Sequence, residues 1–229
     1  EASNTYHLII KLNSQESLAY YEIGLLSYLQ DSFDVAIEYF THSIELKSDP
    51  RTFNDRASCY LMLDRIDLAI KDYIKALSLD SDLPFIYNNL ASAYRKNEDF
   101  DKALDYYTLA ISRDTNYALA YNNRGSLFLY LNKMESALID INKAISIKHD
   151  YAPAYNNKGV IYHNQKSYAE AILYFDKAIS LNDIYAKAFL NRGIARQMIR
   201  DEIGACSDWL KAKELGISTA NKYLENDCN

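Results

Sequence analysis

The strongest constraint on this chain is a sequence pattern that returns about every 34 residues. Each copy contains one aromatic position, occupied in turn by Tyr20, Phe53, Tyr87, Tyr121, Tyr155 and Phe189. The last four steps between these positions are equal, and the first is shorter by a single position. A fixed period of this length is typical of repeat proteins, in which each copy forms one small unit that packs on its neighbours.

Other positions recur in phase with the aromatic residue and predict what each copy forms. A small residue follows it after four positions, at Gly24, Ala57, Ala91, Gly125, Gly159 and Gly193. A large side chain stands sixteen positions after each small residue, at Phe40, Tyr73, Tyr107, Ile141, Phe175 and Trp209. Spacings of three, four and seven put the aromatic residue, the small residue and the next tyrosine on one stripe of an α-helix, and the second half of each copy repeats that stripe. We therefore expect two helices per copy, crossing where the small residue admits the large one.

This pattern resembles the tetratricopeptide repeat over residues 17 to about 216, nearly the whole chain. The resemblance implies an all-α fold, a right-handed superhelical solenoid of helix hairpins, with six units that start near residues 17, 50, 84, 118, 152 and 186. Residues 1–16 match the second helix of a truncated upstream repeat or an N-terminal cap, and the first residue is Glu rather than Met. Residues 217–229 predict a C-terminal capping helix and tail, an ending similar to bacterial tetratricopeptide and Sel1-like proteins.

Composition narrows the choice of partners. The 31 acidic and 25 basic side chains give a net charge of −6, whereas a surface that binds nucleic acid normally carries a basic excess. No apolar run is long enough to span a bilayer, so no membrane insertion is expected. Only 6 glycines and 3 prolines are present, which disfavours a β-sandwich or a β-barrel rich in turns.

The sequence contains no arrangement typical of a catalytic, cofactor or metal site. The four histidines fall in different copies at different phases, so no ligand spacing arises, and we expect neither a metal nor a cofactor. Phosphate-binding loops and the nucleophile elbow of hydrolases are missing as well. We therefore predict that the chain is not an enzyme.

The cysteines leave the cellular compartment open. Cys59 falls in an apolar helical pattern and is expected to be a buried, inert thiol. Cys206 and Cys228 flank the final turn of the chain and either stay reduced or form a disulfide. The first alternative agrees with a cytoplasmic protein, and the second with a periplasmic or exported one.

One column of asparagines is the best candidate for a binding site. The residue two positions after the aromatic one is Asn89, Asn123, Asn157 and Asn191 in the last four copies, and Glu22 and Asp55 in the first two. We expect these four amides to face the concave groove that the first helices form. A carboxamide donates and accepts hydrogen bonds, so this ladder is suited to holding an extended peptide backbone. It is similar to the asparagine ladder of the O-GlcNAc transferase superhelix, which holds substrate polypeptide.

Further polar residues are predicted to line the same groove. A second column stands one position earlier, at Asn54, Asn88, Asn122 and Asn156, and side-chain selectivity is expected from Arg95, Lys96, Tyr130, His163 and Asn164. The alternative for the asparagines is a structural one, in which each amide bonds a neighbouring helix.

A second resemblance within the repeat class fails. Co-chaperones of this class hold a C-terminal carboxylate with a clamp of lysine, asparagine and arginine, but the position of the first lysine is never basic here. A different basic row, Arg192, Arg196 and Arg200, is interpreted as a solvated face rather than an anion site.

The sequence therefore predicts a non-enzymatic scaffold that binds an extended peptide or a partner helix in the concave groove. Two alternatives stay open. The chain is a self-assembling scaffold that stacks through its repeat ends, such as the apolar edge Leu8, Ile9 and Ile10, or it is the recognition arm of a larger enzyme.

Overall fold

The computed structural model describes residues 15–228 and contains only helices in that range. The thirteen helices are α1 (Ser17–Leu29), α2 (Phe33–Leu46), α3 (Pro50–Met62), α4 (Ile66–Leu79), α5 (Pro84–Lys96), α6 (Phe100–Arg113), α7 (Ala118–Tyr130), α8 (Met134–Ile147), α9 (Ala152–Asn164), α10 (Tyr168–Leu181), α11 (Ala186–Met198), α12 (Glu202–Glu214) and α13 (Ala220–Asp227). Helices α1 to α12 pair into six hairpins, each with a first and a second helix. The all-α prediction is confirmed. The apolar edge Leu8, Ile9 and Ile10, and all of the predicted N-terminal helix except residues 15 and 16, lie outside the described residues.

The hairpins group into two compact units, one ending at Thr115 and the other beginning at Asn116. The first unit holds hairpins one to three, and the second holds hairpins four to six with α13. Within each unit, the second helix of a hairpin packs on the first helix of the next, and α13 packs on α12. Each unit is thus a short stack in which every hairpin contacts only its neighbours.

Local sequence signals set the ends of the helices. Pro50 and Pro84 occupy first-turn positions, where a missing N–H costs nothing. The carboxylate of Asp49 accepts a hydrogen bond from the backbone N–H of Arg51 at 2.8 Å and caps α3. The turn inside every hairpin contains one residue with positive φ, namely Asp31, Asp64, Glu98, Asn132, Lys166 and Arg200. None of the six is glycine, so packing of the hairpins holds this less favoured backbone conformation in place.

The core of each hairpin forms where its small residue meets its large one. In the fifth hairpin, an added Cβ at Gly159 would lie 2.5 Å from Cε1 of Phe175, whose side chain is 1 % exposed. The second and third hairpins have alanine there, and their large residue is a tyrosine. The Tyr73 and Tyr107 hydroxyls share hydrogen bonds with Ser58 and Ser92 at 3.1 and 3.0 Å. Two packing solutions therefore serve the same crossing.

Alternate hairpins carry a buried ion pair between their two helices. The pairs are Arg56–Asp72, Arg124–Asp140 and Arg192–Asp208 in the second, fourth and sixth hairpins. Each arginine binds both carboxylate oxygens of its partner, at 2.6 to 2.9 Å. The aspartate side chains are only 3 to 9 % exposed. Fork-shaped pairing of this kind fixes the helices against each other and satisfies a charge that burial would otherwise penalise.

The C-terminal helix covers the last hairpin. Trp209, which is fully buried, stacks on Tyr223 of α13 with ring centres 4.9 Å apart. A disulfide joins Cys206 in α12 to Cys228, directly after α13, with a Cα–Cα distance of 5.7 Å. Cys59 is a buried free thiol, and burial raises its pKa to about 12. Helix α13 is therefore held both by packing and by a covalent link.

We expect reduction of this disulfide to loosen α13 before the rest of the second unit. The bond closes a segment of 22 residues, which corresponds to about 3 kcal/mol of stabilisation. Trp209 is the only tryptophan, so its fluorescence reports the contact with α13 directly. In a Cys228→Ser variant the emission should shift to longer wavelength at lower urea concentration than in the oxidised protein. Identical midpoints for the two proteins would contradict a stabilising role of the bond.

Candidate functional site

The ladder asparagines lie on the first helices α5, α7, α9 and α11 and are partly buried. Three of them donate from Nδ2 to the amide oxygen of an asparagine in the preceding hairpin. The bonds run from Asn89 to Asn54 at 3.0 Å, from Asn157 to Asn122 at 2.9 Å and from Asn191 to Asn156 at 2.9 Å. Within each unit, these hydrogen bonds between side-chain amides thus connect successive hairpins.

The second column does not line an open surface. Asn54, Asn88, Asn122 and Asn156 are only 2 to 5 % exposed. Adjacent residues of a helix point about 100° apart, so when the ladder position faces outward its neighbour turns toward the next hairpin. The prediction that this column widens the groove does not fit its burial. The oxygens of Asn54, Asn122 and Asn156 instead accept hydrogen bonds from the ladder amides. Nδ2 of Asn88 donates to Oδ1 of Asn89 at 3.3 Å.

The link between the first and second hairpins has the opposite hydrogen-bond direction. At the ladder position, the second hairpin carries Asp55, which cannot donate when ionised. The second-column position of the first hairpin is Tyr21, whose hydroxyl donates to Oδ2 of Asp55 at 2.9 Å. Nδ2 of Asn54 donates to the other carboxylate oxygen at 2.9 Å. Burial and the neighbouring Asp55 charge raise the pKa of Tyr21 far above its ordinary value.

A pocket of about 210 Å³ opens beside these residues in the first unit. It is lined by Leu25, Tyr28, Asn54, Asp55, Ser58 and Asn89, all from the first helices of three successive hairpins. The sequence pattern singles out only the two asparagines as binding residues. Leu25 and Ser58 lie three residues after the ladder positions Glu22 and Asp55, and Tyr28 lies seven residues after Tyr21 of the second column. This helical spacing is the signal by which they can be found.

The five residues predicted to add selectivity have different surroundings. Lys96 is exposed and binds both the Asp64 carboxylate at 2.8 Å and the Leu61 carbonyl at 2.9 Å. Tyr130 is 65 % exposed, and Asn164 is also exposed. His163 is partly buried, and its ring packs edge-on against Tyr168 with centres 5.3 Å apart. Arg95 is partly buried and lies beside the Tyr107 hydroxyl. Burial raises the pKa of Tyr107, and the Ser92 hydrogen bond and the Arg95 charge offset this only in part.

Of the basic row, Arg192 and Arg196 lie on α11, whereas Arg200 lies beyond its end in the turn before α12. The interpretation as a solvated face does not hold for the first two, whose side chains are only 14 and 24 % exposed and form ion pairs. Arg192 bonds Asp176 at 2.5 Å as well as Asp208, and Arg196 bonds Asp208 at 2.9 Å. Among residues 15–228, no group of three or more His, Cys, Asp or Glu residues is arranged to hold a metal ion. Within the same range, every helix is too short or too polar to cross a membrane.

Several solved structures resemble this one in fold. A chain of the APC/C hetero-tetramer Cut9-Hcn1 aligns over 99% of the present chain with a TM-score of 0.86 and 15% identity, although the present chain spans only 46% of its length. PilF of Pseudomonas aeruginosa aligns with a TM-score of 0.76 and 20% identity, covering 91% of the present chain and 96% of its own. YrrB, described as a TPR protein with an unusual peptide-binding site, aligns with a TM-score of 0.59 and 20% identity, covering 81% of the present chain and 96% of its own. At these identities the likeness establishes the fold alone.

The sequence comparison identifies the repeats directly. The Tetratricopeptide repeat pattern matches residues 18–50, 50–83, 84–117, 118–151 and 152–183. No curated protein sequence matches the chain significantly. The five matches cover the first five hairpins, and the sixth repeats their geometry with its own Gly193–Trp209 crossing. The chain belongs to the tetratricopeptide repeat family, whose members are generally non-enzymatic scaffolds for protein interaction.

Proposed function

We propose that this protein binds an extended peptide segment of a partner protein along the first helices, and that the ladder amides hold the peptide main chain. The observation that carries the proposal is the row of partly buried amides in the second unit, Asn123, Asn157 and Asn191, spaced at one repeat. YrrB, which shares the fold, is described as having a peptide-binding site. The proposed role is binding without catalysis, in line with the family.

The bonds between hairpins leave the amides of Asn157 and Asn191 able to bind a second partner. A carboxamide has two N–H groups and two lone pairs. Asn157 and Asn191 each use one N–H for the preceding hairpin. The remaining N–H can donate to a peptide carbonyl, and the amide oxygen can accept from a peptide N–H. The bond to the buried asparagine also fixes the orientation of the amide before a ligand arrives, which lowers the entropic cost of binding.

The disulfide extends the proposal to the cellular compartment. Disulfides persist in secreted, periplasmic and other oxidising environments, where cytosolic reductants do not reach them. We therefore place the working protein in such a compartment, with the Cys206–Cys228 bond intact.

A double substitution tests the main-chain role. Peptides for the assay are selected on the wild-type protein from a random dodecapeptide library. Replacing Asn157 and Asn191 with alanine should weaken the affinity for a selected peptide by about tenfold or more, because two hydrogen bonds between uncharged groups of the protein and the peptide are lost. Affinity is measured by fluorescence anisotropy, and helicity by circular dichroism.

The chain offers a matched control for this experiment. Replacing Asn122 and Asn156 with alanine breaks the same two bonds between hairpins but leaves the outer amides in place. The outer amides then lose their fixed orientation but keep the groups that bind the peptide, so the control variant should lose no more than about threefold in affinity while losing similar stability. Equal loss of affinity in the two variants would contradict the proposal, because the asparagines would then act only through the packing of the hairpins.

A further inference from the structure

A carboxylate in the pocket of the first unit has no ion-pair partner of its own. Asp55 accepts hydrogen bonds from the Tyr21 hydroxyl and the Asn54 amide, both at 2.9 Å, and neither donor carries a charge. Within residues 15–228, no lysine, arginine or histidine forms an ion pair with it. Asp72, in the second helix of the same hairpin, is bound through both oxygens by Arg56 instead.

Asp55 is partly buried, and this makes a carboxylate without a counter-charge costly in the absence of a ligand. The pKa of Asp55 is raised, chiefly by burial, and the bonds from Tyr21 and Asn54 offset that effect only in part. The more distant charges of Asp49 and Arg51 act on it in opposite directions. A carboxylate removed from water gains most from a cation that approaches it with direct hydrogen bonds. Free space for such a cation is present, since Asp55 is one of the residues that line the 210 Å³ pocket.

The other residues around the pocket also suit a basic side chain. Leu25 and Tyr28 supply an apolar wall, and Asn89 supplies an amide beside the carboxylate. Glu22 occupies the ladder position of the first hairpin and adds a second negative charge near Tyr21. An acidic side chain would therefore be repelled, whereas the methylene stem of a basic side chain can lie on the apolar wall while its head reaches Asp55.

We propose that the pocket formed by Leu25, Tyr28, Asn54, Asp55, Ser58 and Asn89 receives a lysine or arginine side chain of the bound peptide. This inference rests on the peptide binding proposed above, taken for each unit by itself, and adds a sequence preference to the peptide that binds the first unit. The ammonium or guanidinium group bonds the carboxylate of Asp55, and the methylene stem of the same side chain packs on Leu25 and Tyr28.

The test compares peptides selected from one random dodecapeptide library on three proteins. Wild type and the Glu38→Gln variant, which loses an exposed carboxylate on α2, should both enrich lysine or arginine at one peptide position by about threefold or more. The Asp55→Asn variant should lose this enrichment. Because Glu38→Gln makes the same change in net charge, the comparison separates the pocket from the general attraction of a chain with net charge −6.

A double-mutant cycle then measures the contact between Asp55 and the basic side chain of the peptide. For a selected peptide, replacing its lysine with norleucine should weaken binding to wild type by about tenfold, but to Asp55→Asn by less than about twofold. Equal losses on both proteins would overturn the inference, as would selected peptides without a basic residue. Such peptides would leave the proposed function standing if their binding still depends on Asn157 and Asn191. Failure to select any peptide would overturn both. Circular dichroism melting confirms that Asp55→Asn is folded.

Discussion

Replacing Arg124 with leucine is expected to lower the free energy of unfolding by about 3–5 kcal/mol. Arg124 binds both oxygens of Asp140 at 2.7 and 2.8 Å, and the Asp140 side chain is only 4 % exposed. The variant leaves that carboxylate buried without its counter-charge, which is far more costly than the absence of the whole pair. Urea unfolding followed by circular dichroism measures the loss.

The third hairpin supplies the matched control. One repeat earlier, the positions of Arg124 and Asp140 are occupied by Leu90 and Tyr106. The same chain therefore contains a hairpin in which this pair of positions is uncharged. The double variant Arg124→Leu/Asp140→Tyr should recover most of the lost stability, since no unpaired charge remains. If the double variant is as unstable as the single one, the loss of stability comes from packing around Arg124 and not from the unpaired carboxylate of Asp140.

Replacing Gly159 with alanine is expected to cost about 2–3 kcal/mol, although alanine is the better helix former by about 1 kcal/mol. The new Cβ would lie 2.5, 2.7 and 2.9 Å from three ring atoms of Phe175. That ring is packed between Ala171 of its own helix and Ala195 of the next hairpin, so it has little room to move. Thermal unfolding of the variant measures the effect.

A transplant of the third-hairpin packing tests the reason for this loss. That hairpin combines Ala91, Ser92 and Tyr107, with the serine bonded to the tyrosine hydroxyl at 3.0 Å. The triple variant Gly159→Ala/Val160→Ser/Phe175→Tyr should therefore be more stable than Gly159→Ala alone, by about 1 kcal/mol. A single Gly159→Ala variant as stable as wild type would contradict the close crossing of α9 and α10.

The fold was accessible to sequence analysis because the repeat magnifies each signal. One Gly159–Phe175 spacing would mean little, but the same spacing in six copies predicts both helices of every hairpin and their point of crossing. The ion pairs were less visible. Arg56, Arg124 and Arg192 recur only in every second copy, so an alignment at the basic period hides them among unrelated residues.

The candidate site was predictable only in part. The ladder positions follow from phase alone, but which neighbouring asparagine is buried depends on how the next hairpin packs, and Asn122 and Asn156 carry no local mark of burial. Asp55 looks like a gap in the ladder when residue types alone are compared. Its bond with Tyr21 shows that the connection persists with donor and acceptor exchanged.

Backbone methylation of a bound peptide tests most directly whether the ladder amides bind the main chain of the peptide. In a selected dodecapeptide, each backbone nitrogen is methylated in turn, which removes one main-chain donor and crowds the adjacent carbonyl. Binding to wild type should fall by about tenfold at two or more positions where alanine substitution of the side chain changes affinity by less than about threefold. The penalty at those positions should shrink in the Asn157→Ala/Asn191→Ala variant. A peptide that tolerates methylation everywhere with less than about twofold loss would show that side chains alone are recognised and would contradict main-chain binding.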